Sequence, residues 1–140
     1  MPVRSLSSRV FKWATREVVE RALQDWAGGL AAERPELLRL GCFGSFAQGD
    51  WGFGSDLDLV AVVASSAVPF EERRRGWPLE VLPIPVDLLV YTVEEWTRLS
   101  AQDTRFARLL RNQVRWLVNR DPPGAESSDD KTPSAFGARR

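Results

Sequence analysis

The sequence predicts an α/β domain, and three observations carry that expectation. The stretches "LLRLGCF", "DLDLVAVV" and "VDLLVY" have the alternation or apolar run of strands. Helical periodicity precedes the first of them, and helix-capping patterns follow the last. A chain of 140 residues with 44% hydrophobic content can bury one ordinary core, so a single domain over residues 1–120 is expected.

From Ser8 to Trp26 the apolar residues Val10, Phe11, Ala14, Val18, Ala22 and Trp26 recur at helical spacing, and Gly28-Gly29 supplies a stop. After Pro35, Leu38, Leu40 and Cys42 alternate with Leu37, Arg39, Gly41 and Phe43, a strand that ends where a glycine-rich stretch begins. In the second strand Leu57, Leu59, Ala61 and Val63 share one face and Asp56, Asp58, Val60 and Val62 the other. "RRRGWP" at 73–78 reads as a solvated loop, and Pro83 and Pro85 confine the strand that follows to the edge of a sheet or to pairing from its start. Thr92 and Glu95 form a capping-box pattern that opens a helix through Leu99. Asp103 caps a last helix to about Val118, with Arg105, Arg108, Arg111 and Arg115 on one solvated face. From Asp121 the chain is rich in Pro, Ser, Gly and Asp, so 121–140 is expected to be a disordered tail. No internal repeat is present.

Composition removes several function classes. With no histidine, Ser-His-Asp and Cys-His catalysis and imidazole metal ligation are excluded. Cys42 is the only cysteine, which excludes an internal disulfide and a thiolate cluster and fits a reducing compartment. Nineteen basic residues balance nineteen acidic ones, so net charge gives no indication of nucleic-acid or membrane binding. No signal-peptide core and no membrane-length apolar stretch is seen, and a cytoplasmic protein is expected.

Against that background, "GSFAQGDWGFGSDLDLV" stands out. Asp56 and Asp58 lie two apart at the start of an apolar strand, on one face and roughly 7 Å apart by strand rise. Paired carboxylates repel each other, and a divalent cation between them keeps both ionised. Asp87 holds the equivalent place in the next strand, so neighbouring strands in register would bring three acids to one sheet face. Hard oxygen ligands without histidine or cysteine select magnesium, or manganese in its place, over zinc. Gly44-Ser45, opening a short helix after a strand, would offer backbone N–H groups and a hydroxyl to an anion. Phosphate on one side and metal on the other describe a nucleotide site. Taken alone, the glycine-rich loop reads equally well as a structural connection; the acids inside strands are what that reading leaves unexplained. Trp51 and Phe53 read as aromatics folding back on their own domain.

Gly44-Ser45, ten intervening residues, the Asp56-x-Asp58 pair in "SDLDL" and the isolated Asp87 of "VDLLV" together resemble the signature of the DNA polymerase β-type nucleotidyltransferase superfamily. The single-domain branch, the minimal nucleotidyltransferases, is the most similar. The likeness runs over about residues 37–91. With it, the expected architecture is a small mixed β-sheet with helices packed mainly on one face, the nucleotidyltransferase fold.

The resemblance implies that Asp56, Asp58 and Asp87 are catalytic and bind two magnesium ions, with Asp87 also helping to activate the attacking hydroxyl. It implies that Gly44 and Ser45 hold the β- and γ-phosphates of a nucleoside triphosphate, ATP as nucleotide donor, and that Ser55 supports the metal site. Gln48 departs from the basic residue many relatives have there. The acceptor implied is a helical HEPN-domain toxin that the transferase adenylylates as its antitoxin, the two forming a hetero-oligomer. Transfer to a small molecule such as an aminoglycoside-type antibiotic is the alternative enzyme reading. A non-catalytic module that neutralises its partner by contact is the alternative outside catalysis.

Overall fold

The computed structural model of the chain describes residues 14–52, 54–120, 135–136 and 138–139. Helix α1 (Arg16–Glu33) is opened by Thr15, whose hydroxyl accepts a hydrogen bond from the Val18 N–H. Its buried stripe is Val19, Leu23, Trp26, Ala27 and Leu30. Trp26 is buried and Ala14 and Ala22 pack against the core, as expected, but Val18 is 48% exposed and Val19 and Leu23 fill the centre of the stripe. The helix also runs through Gly28-Gly29, because both glycines look outward into open space while Ala27 and Leu30 hold the last turns to the core. The part of the expected helix before Ala14 lies outside the described residues.

Strand β1 (Leu37–Phe43) leads into the five-residue helix α2 (Gly44–Gln48). Strand β2 (Leu57–Val63) pairs antiparallel with β1, and β3 (Val86–Thr92) pairs parallel with β2. Helices α3 (Val93–Ser100) and α4 (Arg105–Gln113) follow, and β4 (Arg115–Asn119) returns antiparallel to β1. The sheet order β3-β2-β1-β4 makes it a small mixed sheet in an α/β fold, as expected, with β3 and its preceding prolines at an edge.

Strand β4 corrects the expectation of a helix reaching Val118. Helix α4 is capped by Thr104, not Asp103, and ends at Gln113; the next residues satisfy the free edge of β1 instead. Gly41 permits this pairing, since a Cβ there would lie 2.6 Å from Val114 and 2.9 Å from the Arg115 carbonyl. Arg115 therefore leaves the expected helix face, and its guanidinium donates 2.7 and 3.1 Å hydrogen bonds to the Glu20 carboxylate.

Packing is concentrated on one face of the sheet. There α1 lies against Leu40, Cys42, Leu57, Leu59, Ala61 and Leu88, with Phe46 of α2 at one end. Full burial of each such leucine contributes about 1.5–3 kcal/mol. The opposite face carries a smaller cluster, Phe43, Val60 and Leu110, joined by Leu89, Tyr91, Trp96 and Trp116 under α3 and α4. The crossover from β2 to β3 contains two 3-10 segments: Phe70–Gly76, which overlaps the loop expected at 73–78, and Leu79–Val81, where strand composition was expected to resume. Most of the expected tail lies outside the described residues; Ala135–Phe136 and Ala138–Arg139 pair with each other and not with the main sheet.

Candidate active site

The site lies where β1 ends and β2 and β3 begin. Asp58 and Asp87 are direct partners in the parallel ladder, so two of the three predicted acids stand level on adjacent strands. Strand alternation puts them on the same side as Val60, Leu89 and Tyr91, the face of the smaller cluster. Asp56 is exposed just ahead of β2, and its charge together with that of Asp87 reaches Asp58. Burial, then Asp87 and Asp56, push the Asp58 carboxyl above its ordinary value of 3.8.

Gly44 closes the corner from the other side. Its φ is +73°, a conformation that favours glycine, and a Cβ there would lie 2.5 Å from Asp58 Oδ2. The backbone at the strand-to-helix turn thus presses against the acid, joining the two halves of the motif across the 13 residues between Gly44 and Asp58. The N-cap of α2 is Phe43, which provides no side-chain hydrogen bond, so the first-turn N–H groups at Gly44 and Ser45 are not taken by a cap. The Ser45 carbonyl accepts from the N–H of Gly49 and of Asp50, which fixes the far end of the turn.

Ser55 is drawn into its own loop: its Oγ accepts a 3.4 Å hydrogen bond from the Gly52 N–H, and its N–H donates to the Gly52 carbonyl at 3.0 Å. Gln48 is exposed at the end of α2. Trp51 folds back on Phe46 with ring centroids 5.5 Å apart, in line with a packing role, while its buried Nε1 has no hydrogen-bond partner among the described residues. Phe53 lies outside the described residues.

Two neighbours of the site were not legible in the sequence. Arg74 was expected in a solvated loop, but its Nη1 lies 3.4 Å from Asp87 Oδ1 and its Nη2 donates to the Val86 carbonyl at 2.9 Å. Phe106, exposed at the start of α4, meets Phe43 edge-on at 6.3 Å, and Phe43 is the ladder partner of Asp58 on β1. Both contacts are long-range, and no local pattern encodes them.

The donor set suits a hard divalent cation: carboxylates only, two of them in register, one with its ionised form disfavoured by burial and then by like charge. Among the described residues no three carboxylates are drawn together tightly enough to enclose an ion by themselves. A small cation would offset the repulsion between these acids.

The profile of the nucleotidyltransferase domain matches residues 29–111, more than half of the chain and the whole of this corner. The chain belongs to the nucleotidyltransferase domain family. No curated protein matches it significantly. Among solved structures, that of a candidate nucleotidyltransferase from Sulfolobus solfataricus is 23% identical, covering 59% of this chain and 75% of its own, with a TM-score of 0.49. A toxin–antitoxin structure with AMP-PNP is 19% identical over 76% of this chain and 74% of its own, at 0.45. A mutant of the MntA–HpeT toxin–antitoxin pair is 15% identical over the same shares, at 0.39. These likenesses are too distant to carry a substrate or a partner across to this nucleotidyltransferase-domain chain. Among the described residues no helix is long and apolar enough to cross a membrane.

Proposed function

We propose that this chain is a magnesium-dependent nucleotidyltransferase that moves AMP from ATP to a hydroxyl of a partner protein. The observation that carries the reading is the corner itself: Asp58 and Asp87 level on adjacent strands, with the Gly44 backbone pressed against Asp58, inside a domain of the nucleotidyltransferase family.

In this reading Gly44 and Ser45 take the β- and γ-phosphates through first-turn N–H groups and the Ser45 hydroxyl, leaving the α-phosphorus toward the acids. Asp56, Asp58 and Asp87 hold two magnesium ions, with manganese as the substitute; when bound, the ions supply charge neutralisation on the phosphate and attacking oxygens. Asp87, the more exposed of the paired acids, takes the proton of the incoming hydroxyl. The hydroxyl oxygen bonds to the α-phosphorus as its bond to the bridging oxygen breaks, and pyrophosphate leaves. Ser55 contributes by holding the turn that delivers Asp56 to its place.

The family resemblance supplies the acceptor: a helical HEPN-domain toxin, with this chain as its antitoxin and the two joined in a cytoplasmic hetero-oligomer.

Incubation with magnesium and ATP labelled at the α-phosphate, with and without a co-expressed helical partner, tests the proposal. Label is expected on the partner and is lost when Asp56 and Asp58 are replaced by Ala. Label retained by that double variant contradicts the site. Toxin neutralisation by the same variant without label contradicts the catalytic reading, and label only on a small hydroxylated compound contradicts the acceptor.

A further inference from the structure

We propose that Arg74 is a positioning residue for Asp87: an internal counter-cation that occupies the carboxylate until a divalent ion displaces it, and so sets how tightly that ion is held. The inference rests on the nucleotidyl-transfer reading and adds a residue outside the motif that carries it.

The 3-10 segment Phe70–Gly76 is anchored to its surroundings. Arg73 fastens it, donating from Nε to the Val68 carbonyl at 2.8 Å and from Nη1 to the Val90 carbonyl at 3.0 Å. The same guanidinium meets the Glu95 carboxylate with two hydrogen bonds, 2.6 and 3.0 Å. With its neighbour locked in this way, Arg74 is delivered to a defined place at the opposite end of β3. Its Nη2 is held by the Val86 carbonyl, which leaves Nη1 to face Asp87 Oδ1.

That contact is long and open to water: 3.4 Å, with the side chains 43% and 61% exposed. It is weak enough to give way, because exposed ion pairs of this kind contribute little to stability. It is also permanently charged, because a guanidinium does not lose its proton in a protein. A divalent cation approaching Asp87 must therefore displace a fixed positive charge that in its absence offsets the repulsion between Asp87 and Asp58. After displacement, the Val86 carbonyl still holds the guanidinium beside the site.

Manganese binding to the full chain without nucleotide, read from the electron paramagnetic resonance signal of free Mn2+, tests this apart from catalysis. Arg74→Gln is expected to tighten binding about fivefold, the scale of one partly exposed charge. Arg74→Lys, which keeps the charge, is expected to stay near the wild type, and in an Asp87→Asn background Arg74→Gln is expected to have no effect. Unchanged or weaker binding in Arg74→Gln overturns the inference. Manganese binding that is lost in Asp58→Asn but indifferent to Arg74→Gln overturns it while leaving the proposed function standing. A wild-type chain that binds no manganese overturns both.

Discussion

Arg73 and Arg74 are adjacent in sequence and each reaches an acid on the β3–α3 unit, yet the two pairs differ in every physical respect. Arg73 is 8% exposed, bonds both oxygens of Glu95, and is locked by two carbonyls as well. Its hydrogen bond to Glu95 holds that carboxyl at about 2, down from 4.5. Glu95 in turn receives the Thr92 N–H and completes the capping box of α3. Arg74 makes one long contact with an exposed acid. Desolvation, shared geometry and cooperating hydrogen bonds make the first pair part of the fold, and their lack leaves the second free to exchange partners. Proximity in sequence says nothing about which is which.

The largest expected effect falls on the acids of the open corner. Replacing Asp58 or Asp87 by Ala should lower nucleotidyl transfer on the order of a hundredfold or more, with the far-ultraviolet circular dichroism spectrum unchanged. At the closed end of β3 the cost should appear as stability instead. Arg73→Ala is expected to lose about 2 kcal/mol in urea unfolding, because charge-assisted hydrogen bonds go with it and Glu95 is left without its partner. Arg74→Ala should lose less than about 0.5 kcal/mol in the same assay. Equal losses for the two would erase the distinction between them.

The acid limb sharpens the contrast. The folded value for Glu95 lies below its ordinary one, so its contribution is complete above about pH 4.5 and is lost as pH falls toward 2. Thermal melts across that window should therefore decline more steeply for the wild type than for Arg73→Ala. Asp58 has the opposite sign. Its folded value is raised, so ionisation costs the fold stability as pH rises above 3.8 and through that folded value. Asp58→Asn should raise the melting temperature at neutral pH by roughly 2 °C while removing activity.

What the sequence made legible was local or periodic. The alternation in "DLDLVAVV", the acid in "VDLLV" and the capping box at Thr92 each depend on near neighbours, and each element stands where it was expected. The prediction that Asp87 would join Asp58 depended on strand adjacency and register, and the parallel ladder places them opposite one another. Elements decided by distant partners were misread. Strand β4 looks like the continuation of a helix until the free edge of β1 and the bare Gly41 backbone are available to receive it. Gly28-Gly29 looks like a stop until burial of Ala27 and Leu30 outweighs the helix penalty of two glycines. Within α1, Trp26 is buried as expected but Val18 is not, for the same reason: Val18 and Val19 are equivalent by composition, and the core chose Val19. Arg74 and Phe106 reach the site only through tertiary contacts, beyond any local motif.

The central claim is that Gly44, Ser45, Asp56, Asp58 and Asp87 form one nucleotide and metal site. A crystal structure with manganese and a non-hydrolysable ATP analogue, located by manganese anomalous scattering, tests it most directly. Anomalous peaks are expected in contact with Asp56, Asp58 and Asp87, with the analogue's β- and γ-phosphates against the first turn of α2. Manganese or triphosphate bound elsewhere on the chain, with those three carboxylates untouched, would contradict it.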